Sequence, residues 1–245
     1  ARLVIFPNRI RVRLVPDGSG SMDEEKLLAL KKLSVLLLEG LSTFEATINL
    51  RFKLKDPFAV DTEIRMFGSP GKSKVVKAFA ESKPTPGREY ADRFKALGEM
   101  TNGYGGTCDA EPFWNIASSI GEDAVKELQA GKAKEFIFEI TDGGANAASK
   151  YAQEGAEAWQ DSRNAIAAAV AKGARGAKEM GVIARGFQVG TPSEEDQATF
   201  KAIWEADGAR IPEPKDLVQA VAQLLASKFE QIPIGIEYYP AEDEE

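Results

Sequence analysis

Short apolar runs alternate along the chain with longer segments whose apolar residues recur every three or four positions. Ile10–Val15 is apolar-rich, stops at Pro16 and predicts a first core strand. Asp23–Glu39 sets Leu27, Leu30, Leu37 and Leu38 on or near one face behind an acidic first turn, which predicts a helix. In Thr47–Lys55, Ile48, Leu50, Phe52 and Leu54 alternate with Asn49, Arg51 and Lys53, the pattern of a strand with one wet face near a sheet edge. Val60–Phe67 predicts a strand that would form a hairpin with it. Lys72–Gly87, rich in Lys, Ser and Pro, reads as a surface excursion. A short helix over Glu89–Met100, a Gly-rich loop at Asn102–Gly106 and a helix over Glu111–Gln129 lead to the apolar strand Phe136–Ile140, interrupted by Glu139. The Ala-rich stretch Tyr151–Met180 reads as helix, weakened at Gly155, Gly173 and Gly176. Val182–Val189 is a strand, and helices over Glu194–Ala206 and Pro214–Phe229 flank the extended Ala209–Ile211.

Strands alternating with helices of this length imply a mainly parallel sheet covered on both faces. No internal repeat or linker breaks the pattern, so the expected unit is one α/β domain. Leu3–Phe6 and Ile232–Tyr239 fall outside it, one at each end, and are extended segments able to pair. The acidic tail Ala241–Glu245 reads as disordered.

Composition narrows the chemistry. The 245 residues carry 31 Lys+Arg against 38 Asp+Glu, a net charge of −7, with no histidine and one cysteine, Cys108. Without histidine there is no Ser-His-Asp triad, no HExxH protease and no zinc deaminase site. One cysteine makes neither an intrachain disulfide nor a Cys-rich cluster. A metal site here is built from oxygen, which points to Mg²⁺, Mn²⁺ or Ca²⁺. The negative balance argues against nucleic acid as a partner. Apolar runs such as Val35–Leu38 are far too short to cross a membrane, and no secretory signal is visible. The chain starts at Ala1 rather than Met, as a fragment or processed form would; the lack of an Asn-x-Ser/Thr sequon favours the cytosol or a bacterial source.

The strongest motif is Asp17-Gly18-Ser19-Gly20-Ser21-Met22, between the first strand and the first helix. Ligands of parallel α/β sheets bind at the carboxyl ends of strands. Glycines let this turn curl tightly, bringing one carboxylate and two hydroxyls toward a common point. The plainer reading is a helix cap, since Ser21 and Glu24 fit the capping box. Two further loops change the balance. Gly105-Gly106-Thr107 offers a hydroxyl before a helix, and Thr141-Asp142-Gly143-Gly144 puts a carboxylate directly after the strand Phe136–Ile140. If those strands are neighbours, Asp17, Ser19, Ser21, Thr107 and Asp142 converge.

On these residues the chain resembles the von Willebrand factor type A domain, relative of the integrin I-domain, from roughly Ile10 to Phe229. Its metal-ion-dependent adhesion site reads D-x-S-x-S, then Thr, then Asp in a T-D-G context, and all five positions match. The resemblance implies a three-layer Rossmann-like fold: a mainly parallel central sheet with one antiparallel edge strand, and helices on both faces. It implies that Ser19, Ser21 and Thr107 touch Mg²⁺ (or Mn²⁺, with Ca²⁺ an option) directly. Asp17 and Asp142 act directly or through water, and the open position takes an Asp or Glu carboxylate from a partner protein. The domain would span 10–229, between an N-terminal extended segment (1–9) and a C-terminal extension with the acidic tail (230–245). Three departures stand out: Pro16 replaces an apolar strand residue, Cys108 follows Thr107 where Asp is common, and the helix over Tyr151–Met180 is long.

Other signals are weaker. Gly68-Ser69-Pro70-Gly71-Lys72-Ser73 ends like a Walker A motif but has two residues between its glycines instead of four, so a Lys-rich loop is the better reading. Cys108 reads as a small apolar filler, with no histidine to activate it. Trp114, Trp159 and Trp204 lie on expected helices and read as core. Tyr238-Tyr239 suits docking or packing equally.

The expected function is Mg²⁺-dependent protein binding in adhesion or scaffolding, not enzymatic. The alternative is a structural or regulatory subunit of a larger assembly, for example with an AAA+ ATPase, whose metal site only stabilises. A HAD-like phosphotransferase is disfavoured, because it needs a second Asp where Ser19 stands. The compartment is expected to be cytoplasmic, with the bacterial cell surface as the other setting.

Overall fold

The computed structural model describes residues 2–4, 7–79, 88–174, 181–230 and 237–239. The expected acidic tail, the residues 80–87 of the excursion and the end of the expected helix at 175–180 lie outside them, as do residues 5–6 and 232–236 of the two terminal segments.

Along the chain run β1 (Arg2–Val4), β2 (Arg9–Pro16), α1 (Glu24–Arg51), β3 (Ala59–Met66), β4 (Lys74–Lys77), α2 (Arg88–Glu99), α3 (Ala110–Ser119), α4 (Glu122–Gln129) and β5 (Ala133–Thr141). Then come α5 (Ala158–Ala174), β6 (Val182–Val189), α6 (Glu194–Trp204), β7 (Gly208–Ile211), α7 (Leu217–Glu230) and β8 (Glu237–Tyr239). Six strands form one sheet in the order β4-β3-β2-β5-β6-β7. All neighbours are parallel except the edge strand β4, antiparallel to β3. This is the expected mainly parallel sheet with one antiparallel edge. At the chain ends β1 pairs antiparallel with β8, as the two extended segments suggested, with Leu3 opposite Tyr238.

The central strands are covered on both faces, and the charge they bury is paired: Arg13 of β2 bridges Glu63 of β3 and Glu135 of β5. Ile10, Val12 and Leu14 of β2 and Phe136 and Phe138 of β5 pack with Leu30, Leu33 and Leu37 of α1 and Val221 and Leu225 of α7. On the other face, Val15 and Ile137 meet Phe113 and Ile116 of α3, Ala165 and Ala169 of α5, and Trp204 of α6. Fully burying one such Leu or Phe contributes roughly 1.5–3 kcal/mol.

Four expectations are corrected. Thr47–Lys55 is not a strand: α1 continues to Arg51, and no hairpin forms with β3. Ile48 lies about two helical turns beyond the buried Leu41 and packs on the same core, while Leu50 is 89% exposed. The two-residue alternation coincided with the end of a helical stripe. Asn49 then closes the connection, donating to the Phe58 carbonyl and accepting the Phe58 N–H. Glu111–Gln129 is two helices, broken where Gly121 is extended as the cap of α4. The expected long helix starts only at Ala158, because Tyr151–Glu157 turns through Gly155 at φ +79°, a left-handed conformation that suits glycine. The excursion from Lys72 contains β4, whose partner is β3.

Candidate metal centre

The chain leaves β2 through α1 toward β3 and leaves β5 through α5 toward β6, so the adjacent strands β2 and β5 diverge at their carboxyl ends. Such a switch point opens a crevice for ligands. Pro16 stays in register with Ile140 and its carbonyl accepts the Phe67 N–H, so the proline does not displace the turn. Asp17 continues the ladder, its N–H donating to the Ile140 carbonyl.

Asp17 is fully buried. One carboxylate oxygen accepts the Ser19 N–H at 2.7 Å and the other the Thr141 hydroxyl at 2.8 Å. The Ser21 hydroxyl donates to Asp142 Oδ1 at 2.7 Å and lies 2.9 Å from the Ser19 hydroxyl. Ser21 has one proton and gives it to Asp142, so Ser19 is the donor between the two serines. Asp23, not Ser21, caps α1 by accepting the Lys26 N–H, which leaves Ser21 to the site. Thr107, Ser21 and Asp142 line one cleft of about 560 Å³. Asn146 holds Thr107 from both sides: its side-chain oxygen accepts the Thr107 N–H at 2.9 Å, and its own N–H donates to the Thr107 carbonyl at 3.0 Å.

The Gly68–Lys72 turn, the weak Walker-like stretch, braces the Thr107 loop. Ser69 N–H donates to the Tyr104 carbonyl, the Ser69 hydroxyl accepts the Gly106 N–H, and Cys108 N–H donates to the Gly68 carbonyl. A Cβ on Gly68 would lie 2.3 Å from the Tyr104 carbonyl oxygen, so only glycine permits this approach. Cys108 is buried, and burial pushes its thiol up to about 12, which makes it inert filler at neutral pH. Trp204 is core and stacks edge-on with Phe113, whereas Trp114 and Trp159 are half-buried against that core.

One participant was missed in the sequence. Lys26, in the first turn of α1, places its ammonium 2.7 Å from Asp142 Oδ2 and 3.0 Å from the Ser21 carbonyl. Burial lowers its pKa, yet the hydrogen-bonded Asp142 carboxylate outweighs this and holds it above the ordinary value. Its only sequence signal is a cation at the helix end where the macrodipole disfavours one. Asn146 and Ser69 carried none, because their contacts are long-range.

The donors fit a hard divalent cation on two counts. Asp142 already holds a positive charge, so the site favours one. Burial pushes the Asp17 carboxyl up to about 7, against hydrogen bonds from Ser19 and Thr141 that pull it down. Its two donors are neutral, so a neighbouring cation would relieve that cost. Among the described residues no three His, Cys, Asp or Glu side chains gather as a metal group, so coordination here depends on hydroxyls as well as the two carboxylates.

Known proteins share the architecture. The chain is similar to proximal thread matrix protein 1 from the mussel byssus: TM-score 0.57 at 12% identity, over 91% of this chain and 48% of that one. A second structure of that protein, with a zinc-occupied MIDAS motif, gives 0.56 at 12% identity over 89% and 47%. The pilus adhesin SpaC from Lactobacillus rhamnosus GG gives 0.54 at 12% identity over 91% and 30%. The fold is a Rossmann-like von Willebrand factor type A fold. No family model matches the chain. In sequence it is 25% identical over 228 residues to an uncharacterized protein of Treponema pallidum (strain Nichols), covering 93% of this chain. The chain spans a third of that relative's length and under half of each of these solved chains.

Proposed function

We propose that this chain is a divalent-metal-dependent protein-binding module of the von Willebrand factor type A kind. The observation that carries the reading is the hydrogen-bonded chain Ser19–Ser21–Asp142, closed at the end of two adjacent parallel strands and open to a cleft shared with Thr107. The metal site consists of Asp17, Ser19, Ser21, Thr107 and Asp142. The module occupies residues 10–229, flanked by the extensions 1–9 and 230–245.

Each residue has a definite task. Ser19, Ser21 and Thr107 offer hydroxyl oxygens. Asp142 supplies charge at the cleft floor, and Asp17, deeper in, fixes the turn through Ser19 N–H while adding the second charge. Asn146 and Ser69 hold the Thr107 loop. Bound there, Mg²⁺ or Mn²⁺ would supply a Lewis-acidic position for a partner's Asp or Glu carboxylate. Nothing in this arrangement calls for bond-making chemistry, and the role is binding. The adhesin and byssus likenesses support adhesion, and the pilus adhesin lends mild support to the bacterial cell surface as the setting. Among the described residues no helix is long and apolar enough to cross a membrane.

Thermal unfolding in EDTA, Mg²⁺, Mn²⁺, Ca²⁺ and Zn²⁺, with Asp142→Ala alongside, tests the site. An ion at a hundred times its Kd stabilises the folded chain by about 2.7 kcal/mol, and the variant loses that gain. A metal-dependent pull-down, abolished by EDTA, tests the partner. A second reading, a structural subunit of a larger assembly, draws on Lys26, which already neutralises Asp142 without metal. An absence of any ion-induced shift would favour it.

A further inference from the structure

The Lys26 ammonium occupies the carboxylate, Asp142, that the metal-binding reading assigns to the cation. Lys26 Nζ has three oxygen partners: Asp142 Oδ2 at 2.7 Å, the Ser21 carbonyl at 3.0 Å and Asp23 Oδ2 at 3.3 Å. The first two are hydrogen bonds and the third is an ion pair across one helical turn. Asp142, whose side chain is 2% exposed, spends its other oxygen on the Ser21 hydroxyl. Both atoms a cation would use on this carboxylate are therefore already engaged.

The fold accommodates this contact at two local costs. A lysine in a first helical turn opposes the macrodipole. Its stem also crosses Gly190, which sits at φ +85°, and a Cβ there would lie 3.1 Å from Lys26 Cε. Among the residues lining the cleft, Lys26 is the single basic one, facing the acidic Asp23, Glu25, Asp196 and Glu213. A residue that breaks a local rule and is accommodated elsewhere marks a functional position.

We propose that Lys26 is a resident counter-ion that competes with the metal for Asp142, so that ion binding must first release the ammonium. This rests on the metal-site reading above. A divalent ion and Lys26 sharing one buried carboxylate would repel each other across it, and the contact therefore sets the site's affinity. The four-methylene stem lets the ammonium leave Asp142 while staying at the acidic rim, where Asp23 remains in reach. The competition also disfavours monovalent ions, which bring no more charge than the lysine they replace.

The test is Mn²⁺ titration by calorimetry of the full chain, wild type beside Lys26→Met, Lys26→Arg and Asp142→Ala, with circular dichroism to check folding. Lys26→Met should bind Mn²⁺ tighter by on the order of tenfold to a hundredfold, the scale of a nearby like charge removed from a partly buried site. Lys26→Arg keeps the charge and should stay near wild type, which separates competition from packing. In EDTA, Lys26→Met should melt below wild type and recover with Mn²⁺, because Asp142 loses its counter-ion. Binding by Lys26→Met but not by wild type would support the proposal in its strongest form. Equal Mn²⁺ affinity in wild type and Lys26→Met, with Asp142→Ala silent, would overturn it and leave the metal site standing. No binding by any of these chains would overturn both.

Discussion

Asp17 makes the most demanding prediction, because its carboxyl is fully buried against neutral donors. Burial pushes it up to about 7 from an ordinary 3.8. Between those values the folded chain holds a proton that the unfolded chain releases. Metal-free stability therefore falls as pH rises through this window. The shift is about three units, and at about 1.36 kcal/mol per unit the ionised group costs roughly 4 kcal/mol above pH 7. Asp17→Asn removes that cost while keeping an oxygen for the Ser19 N–H, and Thr141 can turn its hydroxyl to accept from the amide. In EDTA the variant should gain on wild type by up to about 4 kcal/mol between pH 4 and 8. For a domain of this size that is roughly 8–16 °C in Tm. The same variant should lose the Mg²⁺ or Mn²⁺ shift, since the amide carries no charge. Differential scanning calorimetry across pH reads both effects. A Tm difference that stays constant from pH 4 to 8 would refute the buried, cation-free environment on which the calculation rests.

Three further predictions follow from the same geometry. Asn146→Ala removes the acceptor of the Thr107 N–H and should weaken Mn²⁺ binding about 10- to 100-fold, the scale for groups that orient a ligand, with calorimetry as the readout; unchanged affinity would show that the Asn146 side chain does not position Thr107 for the metal. Glu139 is buried beside Trp204, and burial first, then Asp109, holds its carboxyl well above the ordinary range, so stability falls as pH rises above that range. Glu139→Gln stays neutral and should gain on wild type by up to about 1.4 kcal/mol per pH unit, as read in urea titrations. Gly186→Ala would put a Cβ 2.4 Å from the Trp204 indole and should cost about 1–3 kcal/mol, with a lower Tm and unchanged metal response.

Much of the fold is local and was legible. Ile10–Val15 and Val182–Val189 read as strands because they are short apolar-rich runs, and the leucines of α1 mark a helical stripe. The first half of the site was legible for the same reason: Asp17, Ser19 and Ser21 occupy one turn after one strand, and Asp142 stands directly after another. What failed did so where patterns overlap. Ile48 to Leu54 satisfies a period of two and the tail of a helical stripe alike, and only packing on Phe58 and β3 decides. The break at Gly121 and the late start of α5 were hidden because glycines weaken a helix without dictating where it ends.

Sequence by itself determined the donor chemistry: hard oxygens, no imidazole, two carboxylates on strand ends and an alternation that demands a parallel sheet. Tertiary structure decided which strands are neighbours, and so whether those carboxylates meet at all. It also decided that Ser69 and Asn146 brace Thr107, and that the Lys26 ammonium rests on a carboxylate 116 residues away. Propensity and periodicity act over one or two turns, whereas these contacts exist only once β2 and β5 lie side by side and a long stem crosses a glycine that leaves it room.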